Sequence, residues 1–144
     1  MKFALLIAIC LLPLSKLYTK EKFPPPWVEV NKTIPELTKT YKGKRVLVLF
    51  AADWCLVSSM VKLELASEKL RDRLEETDSV LAIIDCTNAD SVGIKELKRM
   101  DIERVLPVLA VIDKEGKITH PPVELSDDEP LEESIRSFVK ELID

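Results

Sequence analysis

The chain has 144 residues, is 47% hydrophobic and 32% charged, and carries a formal net charge of -4. That length and balance suit one ordinary globular domain with a sizeable core. The charge is mild and no basic stripe with interleaved aromatics occurs, which argues against nucleic acid as a partner. A single histidine, His120, and three widely separated cysteines give no metal-ligand spacing, and no cofactor is implied.

Met1-Lys2 followed by the apolar stretch Phe3 to Leu14 has the basic start and short hydrophobic core of a secretory signal. It is short for a membrane span of roughly 20 residues. Residues 1–18 are therefore read as a signal peptide or an uncleaved N-terminal anchor, the only membrane contact expected. Small residues near Ser15 and Thr19 meet only part of the cleavage requirement. Ile9 before Cys10 argues against lipid attachment there. Either reading places the domain outside the cytosol, in a periplasm, an extracellular space or an endoplasmic reticulum lumen. Disulfides persist in such compartments. Residues 19–26, ending in three prolines, read as an extended tether.

The folded domain is expected over 27–144. Trp27 to Val30 forms a short strand, and Thr33-Ile34-Pro35-Glu36 a capping box that starts a helix running to about Tyr41. Val46 to Ala51 is a continuous apolar run, as in a central strand buried on both faces. A helix follows, kinked or in two parts, because Ser67 and Glu68 can start a fresh turn. Val80 to Asp85 is a second buried strand, Ser91 to Met100 a helix with Ile94 and Leu97 inward, and Val108 to Asp113 a third buried strand. Lys114 to Gly116 turns the chain into a short antiparallel partner over Lys117 to Thr119. A last helix opens at Glu129-Pro130, and the acidic stretch Ser126 to Glu133 suits its first turn. His120, beside two prolines, reads as an exposed turn residue.

Chemistry concentrates at Ala51-Ala52-Asp53-Trp54-Cys55-Leu56-Val57-Ser58. A strand that turns at once into a helix places the Cys55 sulfur at a helix N-terminus, where unpaired amides and the macrodipole stabilise a thiolate able to attack disulfides. In a two-cysteine site a second thiol three positions on would release the partner, but that position is Ser58. A hydroxyl cannot resolve a mixed disulfide.

The element order, the Asp53-Trp54-Cys55 turn and Leu106-Pro107 before the third long strand together resemble the thioredoxin family over Trp27 to Leu142. Ala52-Asp53-Trp54-Cys55, Asp85-Cys86-Thr87-Asn88-Ala89-Asp90 and Asp113 to Gly116 look most like the C-terminal thioredoxin-like domain of the thiol:disulfide interchange protein DsbD. The resemblance implies an α/β fold, with a central mixed sheet flanked by helices. It implies that Pro107 is a cis proline and that Trp54, Leu106 and Pro107 bound a substrate groove. Three departures stand out. Ser58 replaces the resolving cysteine; Leu49, six positions before Cys55, replaces a buried acid; Val123-Glu124 stands where many members carry a glycine. Loss of a proton-moving acid is consistent with loss of the thiol it serves.

Each candidate has a plainer reading. Cys55 is a nucleophile or a relic cysteine packed as a small apolar residue, and its place at a helix start favours the former. Ser58 steadies the Cys55 thiolate or, more simply, caps the helix. Cys86 is a surrogate resolving thiol or a buried small hydrophobe. The latter is favoured, because a disulfide needs alpha carbons within about 7 Å and converging side chains. Trp54 forms a lid, packs in the core, or does both. Pro107, without the resemblance, would merely end a loop. The resulting expectation is a monothiol oxidoreductase or isomerase acting on protein thiols or disulfides, resolved by glutathione, a partner reductase or Cys86. The alternatives are a redox-inactive binding or chaperone module using the surface around Trp54 and Pro107, and a subunit tied to another chain through Cys55.

Overall fold

A computed structural model describes residues 25–102, 106–119 and 123–124, together with Pro130, Glu133, Arg136, Ser137 and Lys140. Chain order is β1 (Trp27–Val30), α1 (Ile34–Thr40), β2 (Arg45–Ala51), α2 (Leu56–Leu65), α3 (Glu68–Glu76), β3 (Ser79–Asp85), α4 (Val92–Arg99), β4 (Val108–Ile112) and β5 (Val123–Glu124). The strands form one five-stranded sheet in the order β1-β3-β2-β4-β5. β1, β3 and β2 are parallel, while β4 and β5 each run antiparallel to their neighbour.

The apolar run of β2 is central, as expected, and its alternating side chains serve two cores. Leu47, Leu49 and Ala51 pack with Val61, Leu65, Leu70 and Leu74 of α2 and α3. Val46, Val48 and Phe50 pack with Ile34 and Leu37 of α1 and Leu97 of α4. Period-two alternation thus buries both sheet faces under helices.

Helix starts follow local capping chemistry. Thr33 and Glu36 form the full capping box, and the Ser67 and Ser91 hydroxyls accept from Leu70 N and Ile94 N. The helix after β2 is in two parts, with Ser67 starting the second. On the opposite core, Glu96 is buried at 4% exposure. It accepts from Ile34 N at 3.2 Å and from Arg99 at 3.0 and 3.1 Å, linking α4 to the start of α1. Burial pushes the Glu96 carboxyl up, but the Arg99 and Ile34 hydrogen bonds and the Arg99 charge outweigh it and hold it below the usual range.

The expected antiparallel partner over Lys117 to Thr119 is present as a short bridged segment. Ile118 bridges Ile112 in the antiparallel sense, flanked by Asp113 N donating to Lys117 O at 2.8 Å and Thr119 N donating to Val111 O at 3.0 Å, and further on β5 also pairs with β4. The turn sets up this return. Asp113 Oδ1 accepts from Glu115 N at 3.0 Å and Lys117 N at 2.8 Å, and Gly116 takes φ +86°, a left-handed conformation suited to glycine. His120 and most of the expected last helix lie outside the described residues; Glu133, Arg136, Ser137 and Lys140 are helical.

Candidate active site

β2 ends at Ala51, and the chain turns through Ala52-Asp53-Trp54 into α2 with Cys55 as N-cap. The turn closes by a hydrogen bond from Cys55 N to Ala52 O at 3.1 Å. Cys55 is half-buried against the α1/α4 core, and its Sγ accepts from Ser58 N at 3.5 Å. Its thiol donates to Leu106 O at 3.4 Å. The Leu106-Pro107 peptide is cis, and Pro107 is buried. Helix start and proline loop, 51 residues apart in sequence, therefore meet at one sulfur.

The expectations for Ser58 require revision. Ser58 is fully buried, and its hydroxyl accepts from Ala52 N at 3.4 Å. Cys55, not Ser58, caps the helix, and only the Ser58 main-chain amide reaches the thiol. The end of β2 leaves an inward amide without a ladder partner, and the hydroxyl satisfies it. Trp54 is 68% exposed, which rules out the core-packing reading, and its indole Nε1 donates to Thr87 O at 2.9 Å.

Cys86 follows β3 on the α1/α4 face, 1% exposed, with its thiol donating to Ile84 O at 3.8 Å. Burial, and then the Asp85 charge, push this thiol up to about 12. Such a group stays protonated near neutral pH and fills space as a small hydrophobe. Both Cys55 and Cys86 are free. Leu49 is fully buried in the α2/α3 core. β5 pairs Glu124 with Val108 and Val123 with Leu109, so the Val123-Glu124 backbone lies beside the strand that leaves Pro107.

Two site-supporting residues carried no individual role in the sequence reading. Asp85 and Thr87 form an Asx turn, with Thr87 N donating to Asp85 Oδ1 at 2.9 Å, and Thr87 Oγ1 accepts from Asp53 N at 3.1 Å. An Asp two residues before a Thr at a strand end is the local signal for such a turn. Gly93, in the first turn of α4, is the other packing requirement: a Cβ there would lie 2.4 Å from Cys86 Sγ and 2.6 Å from Asp85 O. Among the described residues no group of three His, Cys, Asp or Glu side chains converges as a metal site requires, and no helix is long and apolar enough to cross a membrane.

The mixed sheet between two helix layers, with Cys55 at a helix start and cis Pro107 beside it, is a thioredoxin-like fold. The chain is similar to the disulphide isomerase of Xylella fastidiosa Temecula1, at 17% identity over 83% of this chain and 98% of that one, with TM-score 0.58. It is similar to thioredoxin F of spinach chloroplast, at 23% identity, 78% and 92% coverage and TM-score 0.54. It also resembles a Trichomonas vaginalis thioredoxin, at 22% identity, 80% and 99% coverage and TM-score 0.54. At these identities the likeness establishes the fold. No protein-family model and no curated protein matches the chain.

Proposed function

We propose that the protein is an exported thiol-disulfide exchange protein that works through Cys55 alone. The supporting observation is the placement of Sγ between the Ser58 amide, at 3.5 Å, and Leu106 O, at 3.4 Å, next to cis Pro107. In this reading Cys55 loses its proton to solvent and the thiolate attacks one sulfur of a disulfide in a partner protein or in oxidised glutathione. A new S–S bond forms, the old one breaks, and the departing sulfur leaves as a thiolate that takes up a proton. A second thiolate, from glutathione or a partner reductase, then attacks the mixed disulfide and returns Cys55. Trp54, Leu106 and Pro107 bound the groove. The DsbD-like sequence around Cys55 and Cys86 supports the same reading, and the Met1 to Leu14 segment supports export or anchoring outside the cytosol.

The test is mass spectrometry with peptide mapping after equilibration in mixed oxidised and reduced glutathione. A glutathione adduct on Cys55, lost in Cys55→Ser, is the expected result; unmodified Cys55 would overturn it.

One observation favours a second reading, a redox-inactive module that binds partner proteins. Trp54, Leu56 and Leu63 are exposed at 68, 74 and 76%. Partner binding that survives both Cys55→Ser and a missing adduct would select this reading.

A further inference from the structure

The corner at the end of β3 holds the turn that carries Cys55 at two points. The Thr87 hydroxyl accepts from Asp53 N at 3.1 Å, and the Thr87 carbonyl accepts from the Trp54 indole at 2.9 Å. Asp85 fixes the corner in turn, because its Oδ1 accepts from Thr87 N at 2.9 Å and from the Thr87 hydroxyl. A hydroxyl has one proton to give. With that proton directed at the Asp85 carboxylate, the oxygen presents lone pairs to the Asp53 amide, and each bond in the series polarises the next. Asp53 and Trp54 immediately precede Cys55, whose own amide closes the turn on Ala52 O.

We propose that Thr87 is a positioning residue for Cys55: through its hydroxyl and carbonyl it sets the 52–55 turn so that Sγ faces the Leu106 carbonyl. The inference rests on the exchange reading. The role is distinct from α2 capping, which Cys55 and the Ser58 amide accomplish alone. Without the hydroxyl, the Asp53 amide loses its partner, Asp85 loses one of its two donors, and the sulfur samples orientations away from the groove. Reaction rates are sensitive to displacements of this kind.

The experiment compares wild type, Thr87→Val and Thr87→Ser in the full chain, measuring the rate of adduct formation on Cys55 with oxidised glutathione by mass spectrometry with peptide mapping. Valine keeps the branched shape without the hydrogen bonds; serine keeps the hydroxyl. Exchange is expected to slow about threefold to tenfold in Thr87→Val, the scale of losing the hydrogen bond to the Asp53 amide, and to return to within about twofold of wild type in Thr87→Ser. Iodoacetamide labelling of Cys86, buried only in folded protein, reports on folding in the same samples. If valine exposes Cys86, Thr87→Ala is compared with Thr87→Ser under the same criteria. A hydroxyl-free variant as fast as wild type, or a serine variant as slow as the hydroxyl-free one, would overturn the proposal with the exchange reading intact. Absence of any adduct on wild-type Cys55 overturns the exchange reading itself and this inference with it.

Discussion

The Ser58 hydroxyl accepts from the Ala52 amide at 3.4 Å, so the side chain in the resolving position joins strand β2 to helix α2. Ser58→Ala should leave Cys55 in place and cost about 1 kcal/mol in chemical denaturation, because it strands a buried amide. Ser58→Cys should create an internal disulfide with Cys55 under oxidising conditions, read as a mass lower by two hydrogens. Cys55 is the N-cap and position 58 lies in the first turn of α2, where its amide already reaches Cys55 Sγ at 3.5 Å. A Ser58→Cys variant that stayed reduced in oxidised glutathione would show that the two sulfurs diverge.

Cys86 should resist modification in the folded protein. Near neutral pH iodoacetamide is expected to label Cys55 and spare Cys86 until urea is added. Its thiol is held at about 12 against an ordinary 9.0, so between those values the folded state keeps a proton that the unfolded state loses. The stabilisation is therefore complete below about pH 9 and falls as pH rises. Cys86→Ala should show a smaller alkaline loss of urea midpoint than wild type, and equal losses would contradict the assignment.

Gly93→Ala should destabilise the protein by about 1–3 kcal/mol in guanidinium unfolding, the usual cost of overpacking. The new methyl would meet Cys86 Sγ at 2.4 Å and the Asp85 carbonyl at 2.6 Å, and backbone cannot rotate aside. A neutral result would mean that the first turn of α4 moves freely from β3.

Glu96 should contribute to acid sensitivity. Its carboxyl is held below 4.5 in the folded protein, so the stabilisation is present above that value and is lost as pH falls through the lower folded value. Glu36 and Asp78 are also lowered and share the acid loss. In Glu96→Gln the urea midpoint should fall less steeply on acidification than in wild type, while being lower at neutral pH. Parallel curves would remove Glu96 from this role.

Much of the architecture was legible without coordinates because its determinants are local. Thr33-Ile34-Pro35-Glu36 satisfies the first amides of α1 from within one turn of chain, and Ser67 and Ser91 do the same for α3 and α4. The apolar runs at Val46 and Val108 announced strands buried on both faces for an equally local reason, since no alternating polar side was reserved for water. Cys55 at the junction of run and helix was visible on the same grounds. The antiparallel return over Lys117 to Thr119 was legible for the same local reason: the Asp113 side chain captures two amides of the turn, and Ile118 then bridges Ile112.

What residue order determined by itself, then, was the succession of elements and the thiol at a helix start. Tertiary structure decided what each site side chain touches. Trp54 could have been lid or core; it is exposed because the strand that brings up Thr87 offers the indole a carbonyl partner at the surface. The Ser58 hydroxyl could have capped the helix or steadied the thiol; it does neither, because it accepts from the Ala52 amide at the end of β2, six residues back, and leaves the thiol to the Ser58 main-chain amide. Cys86 could have faced Cys55 as a partner; it is instead enclosed by Gly93 and the α1/α4 core. Capping and burial patterns are set within a few residues of chain, but a hydrogen bond across 33 or 51 residues depends on which strand ends the sheet order brings together.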